Sequence, residues 1–229
     1  MKDIKKESYT TADGSPTLYL PALDEYYHSH HGAVQEAIYV YIKNGLYFHG
    51  GMTGSMDSIV VFEMGLGTGL NAFLTALEAQ KHKKKVIYMA IEPYPLSFDE
   101  ISELSFPMIQ TEADKELWNK IHTSSWGKEN VLTPWFTLHK KKCLLEDFVP
   151  STSFDVLYYD AFGARAQPEM WEDRCFEQLV PQLNPNGVFS TYSSKGSVRR
   201  ILHQLGLEVE RIAGPPGKRQ MIRARRPKL

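Results

Sequence analysis

The residues best suited to chemistry in this sequence are a set of closely spaced glycines and the acidic residues that follow its apolar runs. The glycines are Gly65, Gly67 and Gly69. The apolar run before them, residues 59–62, is rich in β-branched residues and predicts a buried strand of a parallel sheet. A helical pattern of apolar residues starts directly after them. Strand, glycine turn and helix begin a βαβ unit, and the glycines let the backbone approach a ligand in its crevice.

The spacing of the glycines differs from the dinucleotide-binding fingerprint G-x-G-x-x-G. Leu70 occupies the place of the third glycine, and the glycine comes one residue earlier, at Gly69. A dehydrogenase is therefore disfavoured. A G-x-G-x-G turn after a strand that ends in an acidic residue, here Glu63, resembles the first motif of the Rossmann-like S-adenosylmethionine methyltransferases. The alternative is a glycine-rich turn with no small-molecule role.

Glu92 follows the second predicted core strand, residues 86–91, about 20 residues after the glycines. An acidic residue at this place can accept hydrogen bonds from two ribose hydroxyl groups. The alternative is an ordinary carboxylate at a strand end. The spacing from the glycine turn favours ribose binding.

Asp160 follows the predicted strand 154–159 and is the candidate catalytic residue. A methyltransferase that acts on an amine needs the nitrogen in its neutral form. A primary amine with a pKa of about 10 is mostly protonated at neutral pH, so its methylation needs a group that holds it and accepts a proton. A carboxylate can do both. Phe162 puts an aromatic ring beside this position, where it could stack on a flipped base. The alternative is that Asp160 caps a helix or is structural.

Strands and helices alternate along the 229 residues, which suffice for one α/β domain. The order predicts a Rossmann-like α/β fold, a mostly parallel seven-stranded sheet closed by an antiparallel hairpin. Residues 1–56 are expected to form a strand and helix extension that packs on the core and active site, and residues 57–229 the methyltransferase core. The other predicted strands are residues 17–20, 134–138, 188–192, 207–213 and 220–224. Predicted helices are residues 33–43, stopped by Asn44-Gly45, two within 98–127, and residues 171–183 and 197–205. A turn is predicted at residues 184–187.

The composition excludes several classes of protein. No apolar run approaches the ~18 residues that span a membrane, and the lysine-rich start lacks the apolar core of a signal peptide. Cys143 and Cys175 form neither a disulfide framework nor a metal-ligand pair by spacing. His28, His30 and His31 lack acidic or cysteine partners at ligand spacing, so a loop that covers cofactor or substrate is favoured over a metal site. We expect a cytoplasmic protein.

Charge is distributed unevenly along the chain. The net charge is −1, yet residues 195–229 contain ten Lys and Arg against two Glu. This asymmetry indicates a local phosphate-binding surface, with a solvated face as the alternative.

Several stretches together resemble the methyltransferase domain of the bacterial MnmC/MnmD family. They cover nearly the whole chain in the same order. The stretches are Tyr27-His28-Ser29-His30-His31-Gly32-Ala33, Glu63-Met64-Gly65-Leu66-Gly67-Thr68-Gly69-Leu70-Asn71, Glu92-Pro93-Tyr94-Pro95, Tyr159-Asp160-Ala161-Phe162, Gln167-Pro168-Glu169-Met170-Trp171, Thr191-Tyr192-Ser193-Ser194-Lys195-Gly196-Ser197-Val198-Arg199-Arg200 and Gly214-Pro215-Pro216-Gly217-Lys218-Arg219.

The resemblance implies methylation of 5-aminomethyl(-2-thio)uridine at the tRNA wobble position, with S-adenosyl-L-methionine as cofactor and tRNA as partner. It implies neither a metal nor a membrane, and the chain has no length for the flavin oxidoreductase domain fused to some relatives. Asp160 would face the amine and the cofactor. The other implied cofactor-binding residues are Glu63, Gly65, Gly67, Gly69, Asn71 and Glu92. The implied substrate- or tRNA-binding residues are Phe162, Lys195, Arg199, Arg200, Lys218 and Arg219.

The sequence leaves two points open. The family tends to carry Gly-Asp after the third strand to meet the adenine, whereas this chain has Lys141-Lys142-Cys143. Either Glu146 or Asp147 replaces that carboxylate, or the backbone alone holds the adenine. The function also has two alternatives: a small-molecule amine N-methyltransferase or aminopropyltransferase of the same fold, and a non-catalytic RNA-binding module.

Overall fold

The computed structural model describes residues 4–228, and a mixed sheet of eight strands forms its centre. Five neighbouring strands of this sheet are parallel, and antiparallel strands flank them on both sides. In chain order the eight strands are β4 (Ser58–Met64), β5 (Lys85–Ile91), β6 (Glu129–Thr133), β7 (Phe136–Lys141), β8 (Phe154–Tyr159), β9 (Leu183–Thr191), β10 (Glu208–Ala213) and β11 (Gln220–Arg225). Their spatial order is β10-β11-β9-β8-β4-β5-β7-β6. The prediction of an α/β fold with a mostly parallel sheet and a closing hairpin is confirmed.

The predicted count of seven strands is wrong, because β6 was not expected. Only Leu132 of its five residues is buried, and Val131 is 72% exposed, so the segment lacks the apolar run that marks a buried strand. It lies at the sheet edge, antiparallel to β7. Pro134 and Trp135, which were expected to begin a strand, form the turn between β6 and β7.

Each face of the sheet has its own apolar core, because neighbouring strand residues point to opposite sides. Val61 and Tyr158 belong to one core, whereas Phe62 and Tyr159 belong to the other. The first core is covered by α2 (Leu70–His82), α3 (Phe98–Ser102) and α4 (Glu112–Thr123) and by helices of the N-terminal segment. The second is covered by α5 (Asp173–Leu179) and α6 (Gly196–Gln204). In place of the predicted helix 171–183, the structure has the shorter helix α5, flanked by 3-10 turns at Pro168–Trp171 and Val180–Gln182.

The N-terminal segment forms a small antiparallel sheet followed by helices. Its strands are β1 (Glu7–Thr10), β2 (Pro16–Leu20) and β3 (Glu25–Tyr26). Helix α1 (Ala33–Ala37) then continues directly as a π-helix, Ile38–Tyr47. The expected stop at Asn44-Gly45 is wrong. Asn44 donates its side-chain N–H to the carbonyl of Tyr39, 2.8 Å away, and Gly45 is buried against the sheet, so the helix runs through both.

The predicted turn at residues 184–187 is also absent as a separate element, because it lies inside β9. Asn186 donates its backbone N–H to the carbonyl of Arg226 at 2.9 Å, and Arg226 donates to Gly187 at 2.8 Å. Residues expected to form a turn are thus hydrogen-bonded to the distant end of the chain.

Across residues 4–228, no helix combines the length and the apolar character that crossing a bilayer requires.

Candidate functional site

The glycine turn joins β4 to α2 and takes a backbone conformation that L side chains rarely adopt. The φ angles of Gly65, Gly67 and Gly69 are +89°, +53° and +77°. A Cβ atom at Gly65 would lie 2.7 Å from the carbonyl oxygen of Asp160, so only glycine lets the ends of β4 and β8 come this close. The turn therefore places the start of α2 next to the candidate catalytic residue.

Glu92 lies at the end of β5 and is bound to the same turn. Its Oε2 accepts the backbone N–H of Gly67 at 3.0 Å, and its Oε1 accepts that of Tyr94 at 2.9 Å. Burial raises the pKa of this carboxyl, and the two backbone hydrogen bonds oppose the rise. The second lone pairs of both oxygens stay available to hydroxyl donors.

Asp160 lies at the end of β8, partly buried, and holds two side-chain hydrogen bonds. The hydroxyl of Tyr41 donates to Oδ1 at 2.6 Å, and Asn71 Nδ2 donates to Oδ2 at 2.8 Å. Burial raises the pKa of Asp160 to about 7, although these two donors lower it. A carboxyl that titrates near neutral pH can exchange a proton under physiological conditions.

Glu63 shares the Asn71 amide with Asp160. Asn71 Nδ2 also donates to Glu63 Oε1 at 2.9 Å. Glu63 is 0% exposed, and burial raises its pKa well above the ordinary range. Within the described part of the chain, Glu63 Oε2 and Asn71 Oδ1 are buried without a hydrogen-bond partner. The site thus holds two buried polar oxygens that no group of residues 4–228 satisfies.

The histidine-rich N-terminal loop lies over the glycine turn. His28 Nε2 is 3.0 Å from the hydroxyl of Thr68, and its Nδ1 is 3.1 Å from that of Thr17. Burial lowers the pKa of His28 to about 4, so the ring is neutral. Tyr27 packs edge-on against Phe162, with ring centroids 4.9 Å apart. In the described residues no group of three or more His, Cys, Asp or Glu is arranged to hold a metal ion.

These parts surround one cavity of about 600 Å³. At one side it is lined by Leu144 and Glu146 from the segment after β7, and then by Glu92 and the glycine turn. Asp160 and Phe162 line it farther along. Its size suits a nucleoside-sized ligand, and the carboxylates at the strand ends suit ribose and ammonium groups.

The six predicted substrate-binding residues are not all in one environment. Phe162 and Lys218 line the cavity. Lys218 Nζ is 2.5 Å from Glu36 Oε1 and 3.7 Å from the centre of the Tyr192 ring, so its charge is already paired. The other four cations are exposed, and none forms an ion pair within residues 4–228: Lys195, Arg199, Arg200 and Arg219.

Similarity to known proteins identifies the enzyme class of this fold. The model of an S-adenosyl-L-methionine-dependent methyltransferase family matches residues 114–227, which include β8 and the end of that strand at Asp160. Over these residues, about half of its length, the chain is similar to this family. The predicted methyltransferase class and the predicted cofactor, S-adenosyl-L-methionine, are thereby confirmed.

The curated relatives of this methyltransferase are longer proteins. The tRNA 5-methylaminomethyl-2-thiouridine biosynthesis bifunctional protein MnmC of Marinomonas sp. (strain MWYL1) is 27% identical over 91% of this chain and 32% of that protein. The same protein of Pseudoalteromonas atlantica is 26% identical over 92% of this chain and 32% of that protein. The chain therefore spans about a third of the length of these relatives, and the suspected resemblance to MnmC is confirmed.

A solved structure has the same fold as this methyltransferase. MnmC2 from Aquifex aeolicus superposes with a TM-score of 0.80 at 22% identity, over 100% of this chain and 74% of that one. This similarity concerns the fold.

Tyr41, Thr68 and Glu36 also contribute to the site, and the sequence pattern did not single them out. Tyr41 lies in a stretch whose apolar periodicity only predicts a helix, and Thr68 stands between glycines. Glu36 is a single acidic residue on a helix that was expected to be amphipathic. No local signal distinguishes these residues, because their partners are distant in sequence.

Proposed function

We propose that this methyltransferase transfers a methyl group from S-adenosyl-L-methionine to the primary amine of 5-aminomethyl(-2-thio)uridine at the wobble position of tRNA. The observation that carries the proposal is the similarity of 91% of the chain to a protein named for 5-methylaminomethyl-2-thiouridine biosynthesis. The product in that name has one methyl group more than the proposed substrate. The arrangement around Asp160 supplies a chemical reason for the same reaction here.

The residues of the cavity fit the cofactor. Gly65, Gly67 and Gly69 would lie against its methionine part, and the buried Asn71 Oδ1 lacks the donor that the α-ammonium group would supply. Glu63 would support this end through Asn71. Glu92 would accept its ribose hydroxyls. The bound cofactor supplies an electrophilic methyl group.

Of the two acidic residues considered for contact with the adenine of the cofactor, one is better placed. Glu146 lines the cavity, whereas Asp147 is not among the lining residues. We therefore assign the adenine contact to Glu146 and the backbone beside it.

Asp160 would act on the amine. Its carboxylate can bind the ammonium form of the substrate and take one proton from it, which frees the nitrogen lone pair for the methyl group. A pKa of about 7 leaves a useful fraction of the carboxylate ionised at neutral pH. Phe162 lines the same cavity and offers a ring face or edge to the uracil base.

The tRNA backbone would be held by the exposed cations beside the cavity. Tyr192 lines the cavity, and Lys195 follows three residues later, at the start of α6. Arg199 and Arg200 lie one turn farther along this helix, and Arg219 lies in the loop that joins β10 to β11. Exposed cations on two adjacent elements are suited to phosphate groups.

The deciding experiment is transfer of labelled methyl groups to tRNA that carries an unmethylated aminomethyl wobble uridine. The reaction should proceed in EDTA without added flavin, and mass spectrometry of the nucleosides should show one additional methyl on that uridine alone. The matched control is the same tRNA with an unmodified wobble uridine, which should remain unlabelled. If cofactor binds but neither tRNA is methylated, the small-molecule amine methyltransferase becomes the better assignment.

A further inference from the structure

The carboxylate of Asp160 depends on a residue from the N-terminal segment. The hydroxyl of Tyr41 donates to Oδ1 at 2.6 Å, within the range of a strong, charge-assisted hydrogen bond. Tyr41 is only 2% exposed, so water does not easily replace this donor. The opposite oxygen is held by Asn71, which also serves Glu63. Among the described residues, Tyr41 is therefore the one side chain that donates a hydrogen bond to Oδ1 of Asp160.

The π-helix holds this hydroxyl in place by close contact with the sheet. A Cβ atom at Gly45 would lie 2.8 Å from the Tyr158 ring, so only glycine allows the helix to lie this near to β8. Ser190 on β9 donates its hydroxyl to the carbonyl of Val40 at 2.7 Å. The residues on both sides of Tyr41 are thus anchored to strands β8 and β9, and β8 leads directly to Asp160.

We propose that Tyr41 is a positioning residue for methyl transfer, which holds the Asp160 carboxylate ionised and oriented toward the substrate amine. The inference rests on the proposed role of Asp160 as the group that receives the amine proton. A hydroxyl donor stabilises the carboxylate but not the protonated acid, so removal of the donor makes Asp160 harder to ionise.

Other charges around Asp160 act on it in addition to Tyr41. Glu36 on α1 raises its pKa, and Lys218, which lines the same cavity, lowers it. Glu63 on β4, Tyr88 on β5 and Tyr192 after β9 also interact with it electrostatically. None of these groups changes in a Tyr41→Phe variant, so the effect of the hydroxyl can be isolated.

The test compares methyl transfer by wild type and Tyr41→Phe from pH 6 to pH 9 with saturating cofactor and tRNA. Loss of a hydrogen bond to a charged group should raise the pKa of Asp160 by about one unit. The variant should then be about tenfold slower at pH 6 and nearly as fast as wild type at pH 9. Titration of the substrate amine affects both enzymes equally and cancels in the ratio.

The matched control is Tyr158→Phe, which removes another buried hydroxyl from the same core. That hydroxyl lies 3.4 Å from Thr75 and does not touch Asp160. The ratio of its rate to that of wild type should not depend on pH. A pH-independent ratio for Tyr41→Phe would overturn the inference, because a merely structural role lowers the rate equally at all pH values.

A second measurement does not require activity on tRNA. The Asp160 carboxyl is followed by carbon-13 NMR in protein labelled at aspartate, with the signal assigned by its absence in Asp160→Asn. Its titration midpoint should move upward in Tyr41→Phe, and downward when fluorotyrosine, a stronger donor, replaces tyrosine at position 41. Unchanged midpoints would refute the role of Tyr41 even if wild type methylates tRNA, whereas shifted midpoints with an inactive wild type would refute only the proposed function.

Discussion

Ionisation of Asp160 should lower the stability of the folded protein, and this effect can be measured. Burial raises its pKa from an ordinary value of 3.8 to about 7. A carboxyl with a higher pKa in the folded state binds its proton more tightly there than in the unfolded chain. The stabilisation from this proton is therefore present at low pH and is lost as the pH rises from 3.8 through about 7. Replacing Asp160 with Asn should remove this loss.

The magnitude follows from the size of the pKa shift. A difference of about 3 units corresponds to at most about 4 kcal/mol. Asp160 is only partly buried by surface area, so solvent screening reduces this figure to about 1–2 kcal/mol. In a protein of this length, that free energy corresponds to about 4 °C in melting temperature. An asparagine at this position would also turn an N–H toward one of the two donors, Tyr41 or Asn71, but this cost is the same at all pH values.

The assay is thermal unfolding of the cofactor-free protein at pH 5 and at pH 8. Relative to wild type, Asp160→Asn should gain about 2 °C in melting temperature between pH 5 and pH 8, because the part of the loss that occurs between pH 3.8 and pH 5 lies below this range. Asp57→Asn is the control, because Asp57 is exposed and its substitution removes the same charge without changing a buried group. An equal difference at both pH values for Asp160→Asn would refute the conclusion that this carboxyl ionises at a cost inside the folded site.

Two further predictions concern binding. Glu92→Gln should weaken binding of S-adenosylhomocysteine about tenfold in calorimetry, since a charged acceptor for the ribose hydroxyls is lost; unchanged affinity would contradict the ribose role. Arg199→Ala combined with Arg200→Ala should weaken tRNA binding and reduce the slope of log K against log salt by about two, with unchanged cofactor affinity. Lys115→Ala, on α4, is the control and should leave the tRNA slope as in wild type.

Much of the fold follows from local sequence signals. The strand before the glycine turn and the strand 154–159 have buried apolar runs, and the structure has strands at both places. The turn itself could be predicted because its backbone conformation needs glycine at three positions. The carboxylates Glu92 and Asp160 could be placed at one edge, since parallel strands end on the same side of a sheet.

The errors occur where distant contacts override local preference. Asn44-Gly45 is a typical helix stop, yet Gly45 is buried against Tyr158, more than a hundred residues later, and the helix continues. Strand β6 forms because β7 offers a partner, although only one of its own five residues is buried. The pairing of Lys218 with Glu36, across 182 positions, also has no local signal.

The protonation state of Asp160 is the clearest property that the sequence could not supply. The sheet and the glycine turn bring Asp160 to the cavity, but Tyr41, which lies 119 positions earlier, contacts its carboxylate. Glu36, from the same N-terminal segment, acts on it electrostatically. The sequence predicts the carboxylate because a strand end is a local feature. Its pKa is raised mainly by burial and is adjusted by Tyr41 and Glu36 from the segment that precedes the first core strand, so that segment should influence the pH range of catalysis as well as cover the cavity.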